Sequence, residues 1–144
     1  MISWEFGCTG LLNNKEQIDI EIQVTASEYW AERTLFYLGK MFTDQLKPGE
    51  DYQKLEKCIH IGILNFTMFE DEEYYSCFHF WSDQGRKMYS DKVEIHTLEL
   101  PKLAKYEYPE TELLKWLQLS MQKPRRNLKW QRKKANILRR RMRI

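Results

Sequence analysis

The chain has 144 residues, of which 42% are apolar and 14% aromatic, which suits one folded domain and excludes a disordered tail. Its longest run without a charged residue is the twelve residues from Cys58 to Phe69, short of the roughly 20 apolar residues that a membrane-spanning helix needs. The three cysteines are widely spaced, which argues against a disulfide framework. The first residues do not form a basic segment followed by an apolar one, which argues against a secretory signal. We therefore expect a cytoplasmic protein with no membrane association.

The charge is divided between two regions. Residues 1–122 contain 12 Lys and Arg against 21 Asp and Glu, a net charge of −9, whereas residues 123–144 contain 11 Lys and Arg and no acid. Such a break typically separates a globular body from an interaction arm. We therefore predict a domain over residues 1–122 and a basic tail over residues 123–144.

The predicted strands cover residues 3–12, 17–24, 58–66, 74–81 and 92–100. The second strand alternates strictly, with Ile18, Ile20, Ile22 and Val24 on one face and Asp19, Glu21 and Gln23 on the other. The strand over 58–66 is apolar on both faces, as is typical of the centre of a sheet.

Two helices are predicted around these strands, giving the order ββαβββα. Thr25 and Glu28 form a capping-box pair before the first helix, and Lys47-Pro48-Gly49 ends it. Its helically spaced residues are Trp30, Thr34, Tyr37, Leu38, Met41 and Phe42. The last helix begins near Glu110, and its apolar side is Leu113, Leu114, Leu117 and Met121. The pattern predicts an α/β fold with helices packed on a mixed sheet.

Glu21 and Gln23 carry the candidate chemistry. They project from the same face of one strand, about 7 Å apart along it. A carboxylate there suits Mg²⁺, and the main-chain carbonyl of Ile22 can add a ligand. The Gln23 amide can orient a water molecule or touch a scissile phosphate. Glu-x-Gln alone is a common pattern, however, and a solvated strand face is the alternative interpretation.

A wider resemblance rests on five ordered stretches. They are Leu12-Asn13-Asn14 with Ile20-Glu21-Ile22-Gln23; Glu32-Arg33-Thr34-Leu35 with Tyr37; Gln45-Leu46-Lys47 with Gly49-Glu50-Asp51-Tyr52; Ile61-Gly62-Ile63-Leu64-Asn65-Phe66; and Glu94-Ile95-His96-Thr97-Leu98-Glu99-Leu100-Pro101. From about Leu12 to Met121 the chain resembles the PD-(D/E)XK nuclease family transposases, the Rpn recombination-promoting group.

The resemblance implies a restriction-endonuclease-like core and Mg²⁺-dependent endonuclease cleavage of DNA in recombination. Glu21 carries over as metal ligand and catalytic residue, and Gln23 stands where relatives carry the motif lysine. DNA is the implied partner and no small-molecule cofactor is implied. Pairing of two copies into a homodimer stays open.

Two features of the family are missing. The family places an Asp fourteen residues before the motif Glu, and that position is Gly7 in this chain. A three-residue loop at 13–15 pairs Gly7 opposite Glu21, where glycine offers no ligand, and Glu5 lies about 7 Å along the strand. The family also has a helical segment before this strand. We therefore expect a truncated or degraded copy with weak or no nuclease activity.

The basic tail has three interpretations. As a DNA-binding arm, its side chains neutralise phosphates and make binding strongly salt-dependent. The candidate DNA-binding residues are Arg125, Arg126, Lys129, Arg132 and Lys133, with Arg33 and Lys40 on the first helix. A solvated helix extension is the second interpretation. The third interpretation is a frameshift near residues 122–124. Codons can be written for the tail that, read one nucleotide out of frame, encode an acidic helix of the kind that the family carries at this place.

These interpretations leave two alternatives to a nuclease. One is a non-catalytic DNA-binding module that uses the tail, and the other is an inert remnant of a mobile element. His60, His79 and His96 lie on predicted strands, but no short spacing between them supports a zinc site, so half-buried strand histidines are expected. Free core thiols are expected at the cysteines.

Overall fold

The structure is a computed structural model that describes residues 5–12 and 15–121, with side chains over residues 15–118. The strands are β1 (Glu5–Leu12), β2 (Glu16–Gln23), β3 (Cys58–Leu64), β4 (Tyr75–Trp81) and β5 (Met88–Glu99). The helices are α1 (Trp30–Thr43), α2 (Lys102–Lys105) and α3 (Glu112–Met121). A single 3₁₀ turn at Tyr52–Lys54 precedes β3.

The five strands form one mixed sheet in the order β1-β2-β3-β5-β4. The two inner junctions, β2 with β3 and β3 with β5, are parallel, and the two outer ones are antiparallel. The predicted α/β architecture, a mixed sheet with helices, is confirmed. The short α2 was not expected, because four residues are too few for a periodic signal.

The centre of the sheet is β3. All seven of its residues are buried, which confirms the prediction made from its apolar character. Parallel neighbours on both edges satisfy its backbone. One face of the inner strands is aliphatic, with Ile18, Ile20, Ile59 and Ile61 at most 5% exposed. Burial of these branched side chains contributes on the order of 2 kcal/mol each.

Helix α1 joins β2 to β3 and packs against β3. It buries Trp30, Thr34 and Leu38, which recur every four residues along one side. The predicted capping box of Thr25 and Glu28 is wrong, because the helix begins at Trp30 and Tyr29 caps it without a side-chain hydrogen bond. The helix also ends earlier, at Thr43, whose hydroxyl donates to the carbonyls of the preceding turn.

The predicted apolar side of α1 is also only partly correct. Tyr37 is 51% exposed instead of buried, and Phe36 packs edge to face against it at 5.5 Å between ring centroids. Because Trp30, Thr34 and Leu38 already fill the side that meets the sheet, Tyr37 lies one residue off that line.

A buried ammonium group joins α2 to the end of β5. The Lys102 side chain is 3% exposed, and its Nζ donates to Asp71 Oδ1 at 2.8 Å, Glu99 Oε1 at 3.1 Å and the Glu73 carbonyl at 3.0 Å. Glu99 Oε2 also accepts from the Met68 amide at 2.6 Å. Burial by itself lowers the pKa of Lys102, but these acceptors outweigh it and raise that pKa above its ordinary value.

The chain divides into two units, Met1–Tyr106 and Glu107–Ile144. The first holds the sheet and α1. In the second, α3 begins at Glu112, two residues after the predicted start near Glu110, and Thr111 Oγ1 accepts a hydrogen bond from the Leu114 amide at 3.1 Å. Leu114 and Leu117 are buried, as predicted for this helix. The predicted boundary at residues 122 and 123 stays a prediction.

Candidate functional site

The polar face of β2 is covered rather than solvated. The side chains of Asp19 and Glu21 are 15% and 12% exposed, and Gln23 is 3% exposed. Helix α1 covers this face, since its Trp30 and Thr34 both reach the neighbouring strand β3. Carboxylates so far out of water need partners, because desolvation disfavours their charged form.

Arg33 of α1 joins Glu21 to Gln23. Its Nη2 donates to Glu21 Oε1 at 2.6 Å and to Gln23 Oε1 at 2.9 Å. The Gln23 amide nitrogen donates to the Thr25 carbonyl at 2.9 Å, which fixes the amide orientation. The Arg33 guanidinium also lies 5.0 Å from the Trp30 ring centroid. The predicted pair Glu21 and Gln23 is therefore brought together, around a cation supplied by the protein.

Asp19 and His60 form the second half of the site. Asp19 and His60 are direct neighbours in the parallel pairing of β2 with β3, and His60 Nδ1 lies 3.0 Å from Asp19 Oδ2. His60 is 1% exposed, its Nε2 lies 3.5 Å from Thr34 Oγ1, and its ring lies 5.8 Å from that of Trp30. These contacts hold the imidazole beside the carboxylates.

Asp19, Glu21 and His60 bring three ligand atoms within 4.8 Å of one another. Two carboxylate oxygens and one imidazole nitrogen form a donor set that suits a divalent cation, since carboxylates bind Mg²⁺ and Mn²⁺ and imidazole suits transition metals. The residues present therefore fit a metal ion. The sequence pattern indicated only Glu21 of these three, although Asp19 shares its face two residues earlier and His60 interrupts an apolar strand.

Glycines lie on both sides of Glu21 in the sheet. Gly7 of β1 pairs with Glu21 in the antiparallel register, which confirms the register predicted from the three-residue loop. Gly62 of β3 pairs with it on the other side. A Cβ at Gly62 would lie 2.8 Å from Trp30 Cζ2, so only glycine there lets Trp30 pack over the sheet. The backbone on either side of Glu21 therefore carries no second acid.

The remaining predicted site residues are placed as follows. Ile22 lies between Phe6 of β1 and Ile63 of β3, and its carbonyl as a metal ligand stays a prediction. Lys40 lies on the exposed side of α1, 60% exposed and 3.0 Å from Asp44 Oδ2. Glu5 pairs with Gln23 in the sheet. The tail residues Arg125, Arg126, Lys129, Arg132 and Lys133 lie outside the described residues.

None of the helices in the described part of the chain has the length and apolarity to cross a membrane. Comparison with protein families finds one described as PD-(D/E)XK nuclease family transposase, whose model matches residues 6–142. No curated protein and no solved structure matches the chain. The family match and the mixed sheet together confirm the predicted restriction-endonuclease-like fold class.

Proposed function

Because the chain belongs to the PD-(D/E)XK nuclease family transposases, we propose that its site hydrolyses DNA phosphodiesters with the help of a divalent cation. The observation that carries this proposal is the group of Asp19, Glu21 and His60, whose ligand atoms lie within 4.8 Å of one another on the covered face of β2. Asp19 and His60 supply metal-ligand atoms, which Gly7 lacks.

These three side chains would hold Mg²⁺, the cation that the sequence resemblance implies. A bound divalent cation lowers the pKa of a water molecule and neutralises charge on the phosphate oxygens. Gln23 is held by Arg33 and by the Thr25 carbonyl, so its amide has a fixed orientation next to Glu21. We assign it the positioning of the water molecule or the scissile phosphate. Arg33 and Lys40 are assigned to the DNA phosphates.

We propose that this activity is weak. The position opposite Glu21 in β1 is Gly7, so the acid that relatives place there is missing. Glu21 is also engaged by Arg33 at 2.6 Å, and a cation must compete with this guanidinium for the carboxylate. Both features lower the affinity for Mg²⁺ without removing the remaining donors.

The proposal also covers the cellular location of the protein and the number of copies that act together. We place the protein in the cytoplasm, where the free thiols of Cys58 and Cys77 remain reduced. We assign it to the Rpn recombination-promoting group, acting on DNA without a small-molecule cofactor. A cut in both strands needs two such sites, so we expect two copies to pair during cleavage.

The test is nicking of supercoiled plasmid in Mg²⁺ or Mn²⁺ by the natural chain, Gly7→Asp, and each of these combined with Glu21→Ala. We expect slow nicking by the natural chain, at least tenfold faster nicking by Gly7→Asp, and none in either Glu21→Ala background. Glu112→Ala removes an exposed carboxylate outside the site and serves as the matched control.

Three outcomes contradict the proposal. Nicking that persists in both Glu21→Ala backgrounds moves the activity elsewhere. Folded proteins that bind DNA without cutting it, in a manner abolished by salt and indifferent to Mg²⁺, favour the binding module that uses the basic tail. A broad, non-cooperative thermal transition in the natural chain favours the inert remnant.

A further inference from the structure

A second cluster of metal-ligating side chains lies on the outer two strands, β4 and β5. Cys77 of β4 is paired directly with His96 of β5, and this register continues through Phe78 and Ile95. His79 and Glu94 follow on the same side, two residues along each strand, and His79 Nε2 lies 2.9 Å from Glu94 Oε1. The four side chains therefore lie next to one another on two neighbouring strands, although the pairing register shifts between Phe78 and Phe80.

This cluster is separate from the nuclease-like site. Through β3, His96 is in register with Ile61 and Ile20, whereas the site's His60 and Asp19 are in register with Ile95. Because side chains alternate between faces along a strand, His96 and Asp19 lie on opposite faces of the sheet. No step assigned to Glu21 or Gln23 uses this cluster.

Two of the three pairs of candidate ligand atoms are spaced close to the distances of a metal site. Cys77 Sγ lies 3.8 Å from His79 Nδ1 and 3.9 Å from His96 Nε2. Sulfur and nitrogen ligands of one tetrahedral Zn²⁺ are about 3.5 Å apart, given bond lengths of about 2.3 and 2.0–2.1 Å. The strands place the three residues side by side, and side-chain rotation would have to bring the two ring nitrogens together around the ion.

The outer ring nitrogen of His79 already has a partner of the kind that metal-bound histidines use. His79 Nε2 donates to Glu94 Oε1, which leaves Nδ1 with its lone pair towards Cys77. His96 Nδ1 lies 2.9 Å from the Tyr75 hydroxyl. Lys57 also pairs with Glu94, which fixes this carboxylate. Such carboxylate–histidine contacts orient imidazole ligands towards a metal.

We propose that Cys77, His79 and His96 bind one Zn²⁺. The thiolate and two imidazoles form a donor set that selects zinc over Mg²⁺. Three protein ligands leave a fourth position, and the exposed side of Cys77 gives water access to it. Glu94 orients His79 by accepting a hydrogen bond from the ring nitrogen that faces away from the metal. The hydrogen bond between Glu94 and His96 Nε2, at 3.2 Å, breaks when that nitrogen binds the metal.

Binding is accompanied by proton release. The Cys77 S–H bond breaks, its electron pair forms the Zn–S bond, and the proton leaves to solvent. His96 takes the tautomer whose Nδ1–H donates to the Tyr75 hydroxyl. Because binding releases the thiol proton, zinc affinity should rise with pH.

The test uses the full chain, stripped with a chelator and titrated with Co²⁺ as a spectroscopic stand-in for zinc. We expect one equivalent of Co²⁺ to produce a thiolate-to-cobalt charge-transfer band that Zn²⁺ then abolishes. Cys77→Ser and His96→Gln should lose the band, and Glu94→Gln should weaken Zn²⁺ affinity roughly 10- to 100-fold. Cys58→Ser and His60→Gln should keep it, because Cys58 is buried elsewhere and His60 belongs to the other face.

A band that survives in Cys77→Ser, or a natural chain that competes for no Zn²⁺ against a weak colorimetric chelator, overturns the proposal. The second measurement needs no variant, so it decides the question even where a substitution prevents folding. Retention of the band in His96→Gln would exclude His96 as a ligand. Co²⁺ binding that gives no such band and is lost in His60→Gln would instead place the metal at the nuclease-like site, which has no thiol. The outcome is independent of plasmid nicking.

Discussion

Gly62 is the position where a single methyl group should do the most damage. Its side of the sheet lies under Trp30, and a Cβ there would approach Trp30 Cζ2 to 2.8 Å, against 3.4 Å or more in ordinary contacts. Trp30 is 3% exposed, so it has no room to retreat. To make room, the ring must move by at least roughly 0.6 Å within a packed core.

The expected cost follows from this displacement. Overpacking a core by one methyl group costs about 1–3 kcal/mol. With a urea m-value of about 2 kcal/mol/M, a loss of about 2 kcal/mol lowers the unfolding midpoint of Gly62→Ala by about 1 M. Since Trp30 also contacts His60 and Arg33, the same displacement should disturb the nuclease-like site.

Gly39→Ala is the matched control, since it adds the same methyl group where nothing lies within 4 Å. Gly39 is exposed in the middle of α1, so alanine should raise stability by about 0.5–1 kcal/mol and the urea midpoint by a few tenths of a molar. The two substitutions should therefore shift the midpoint in opposite directions. Equal shifts, or an unchanged Gly62→Ala, would refute the packing of Trp30 over Gly62.

Three further predictions concern charged groups. Lys102→Met should lower the free energy of unfolding by about 3 kcal/mol in urea, because it leaves the fully buried Glu99 carboxylate without its ammonium partner. The control Lys115→Met, at an exposed lysine, should change that free energy by less than about 0.5 kcal/mol. Equal effects of the two substitutions would contradict the buried ion pair. Because the folded-state pKa of Lys102 is raised, the folded protein retains its proton to higher pH than the unfolded chain. The stability that Lys102 contributes should therefore be constant below about pH 10 and lost above it, so that stability falls more steeply there in the natural chain than in Lys102→Met. Arg33→Gln should tighten Mn²⁺ binding at Glu21 roughly tenfold in a calorimetric titration, since the competing guanidinium is removed, and weaker binding would show that Arg33 supports the cation site instead.

The sequence anticipated local features of the sheet well. The alternation in β2 and the apolar run of β3 are local signals, and both strands lie where they were expected. The pairing of Gly7 with Glu21 followed from loop length alone, because a short hairpin loop sets the register.

The composition of the site was harder to predict. Asp19 and His60 are 41 residues apart in the chain and meet only because β2 and β3 are parallel, a register that no local pattern encodes. The alternation of β2 showed that one face is polar but not that α1 covers it. The start of α1 was also missed, since Tyr29 caps it through no side chain. The buried Lys102 gave no signal, because a lysine near the end of a strand normally lies in solvent.

The strand order has a consequence for synthesis of the chain. Strand β5 lies between β3 and β4 in the sheet, yet it follows both in sequence. As the polypeptide leaves the ribosome, β4 therefore emerges before the strand to which it will pair exists, and its aromatic side chains and unpaired amides remain open to other chains. The parallel pairing of β2 with β3 also cannot form until the 41 residues that separate Asp19 from His60 have been synthesised. A nascent chain that has released residues up to about 81–88 from the ribosome, but not β5, should thus be the species most prone to aggregate, and release of β5 should rescue it.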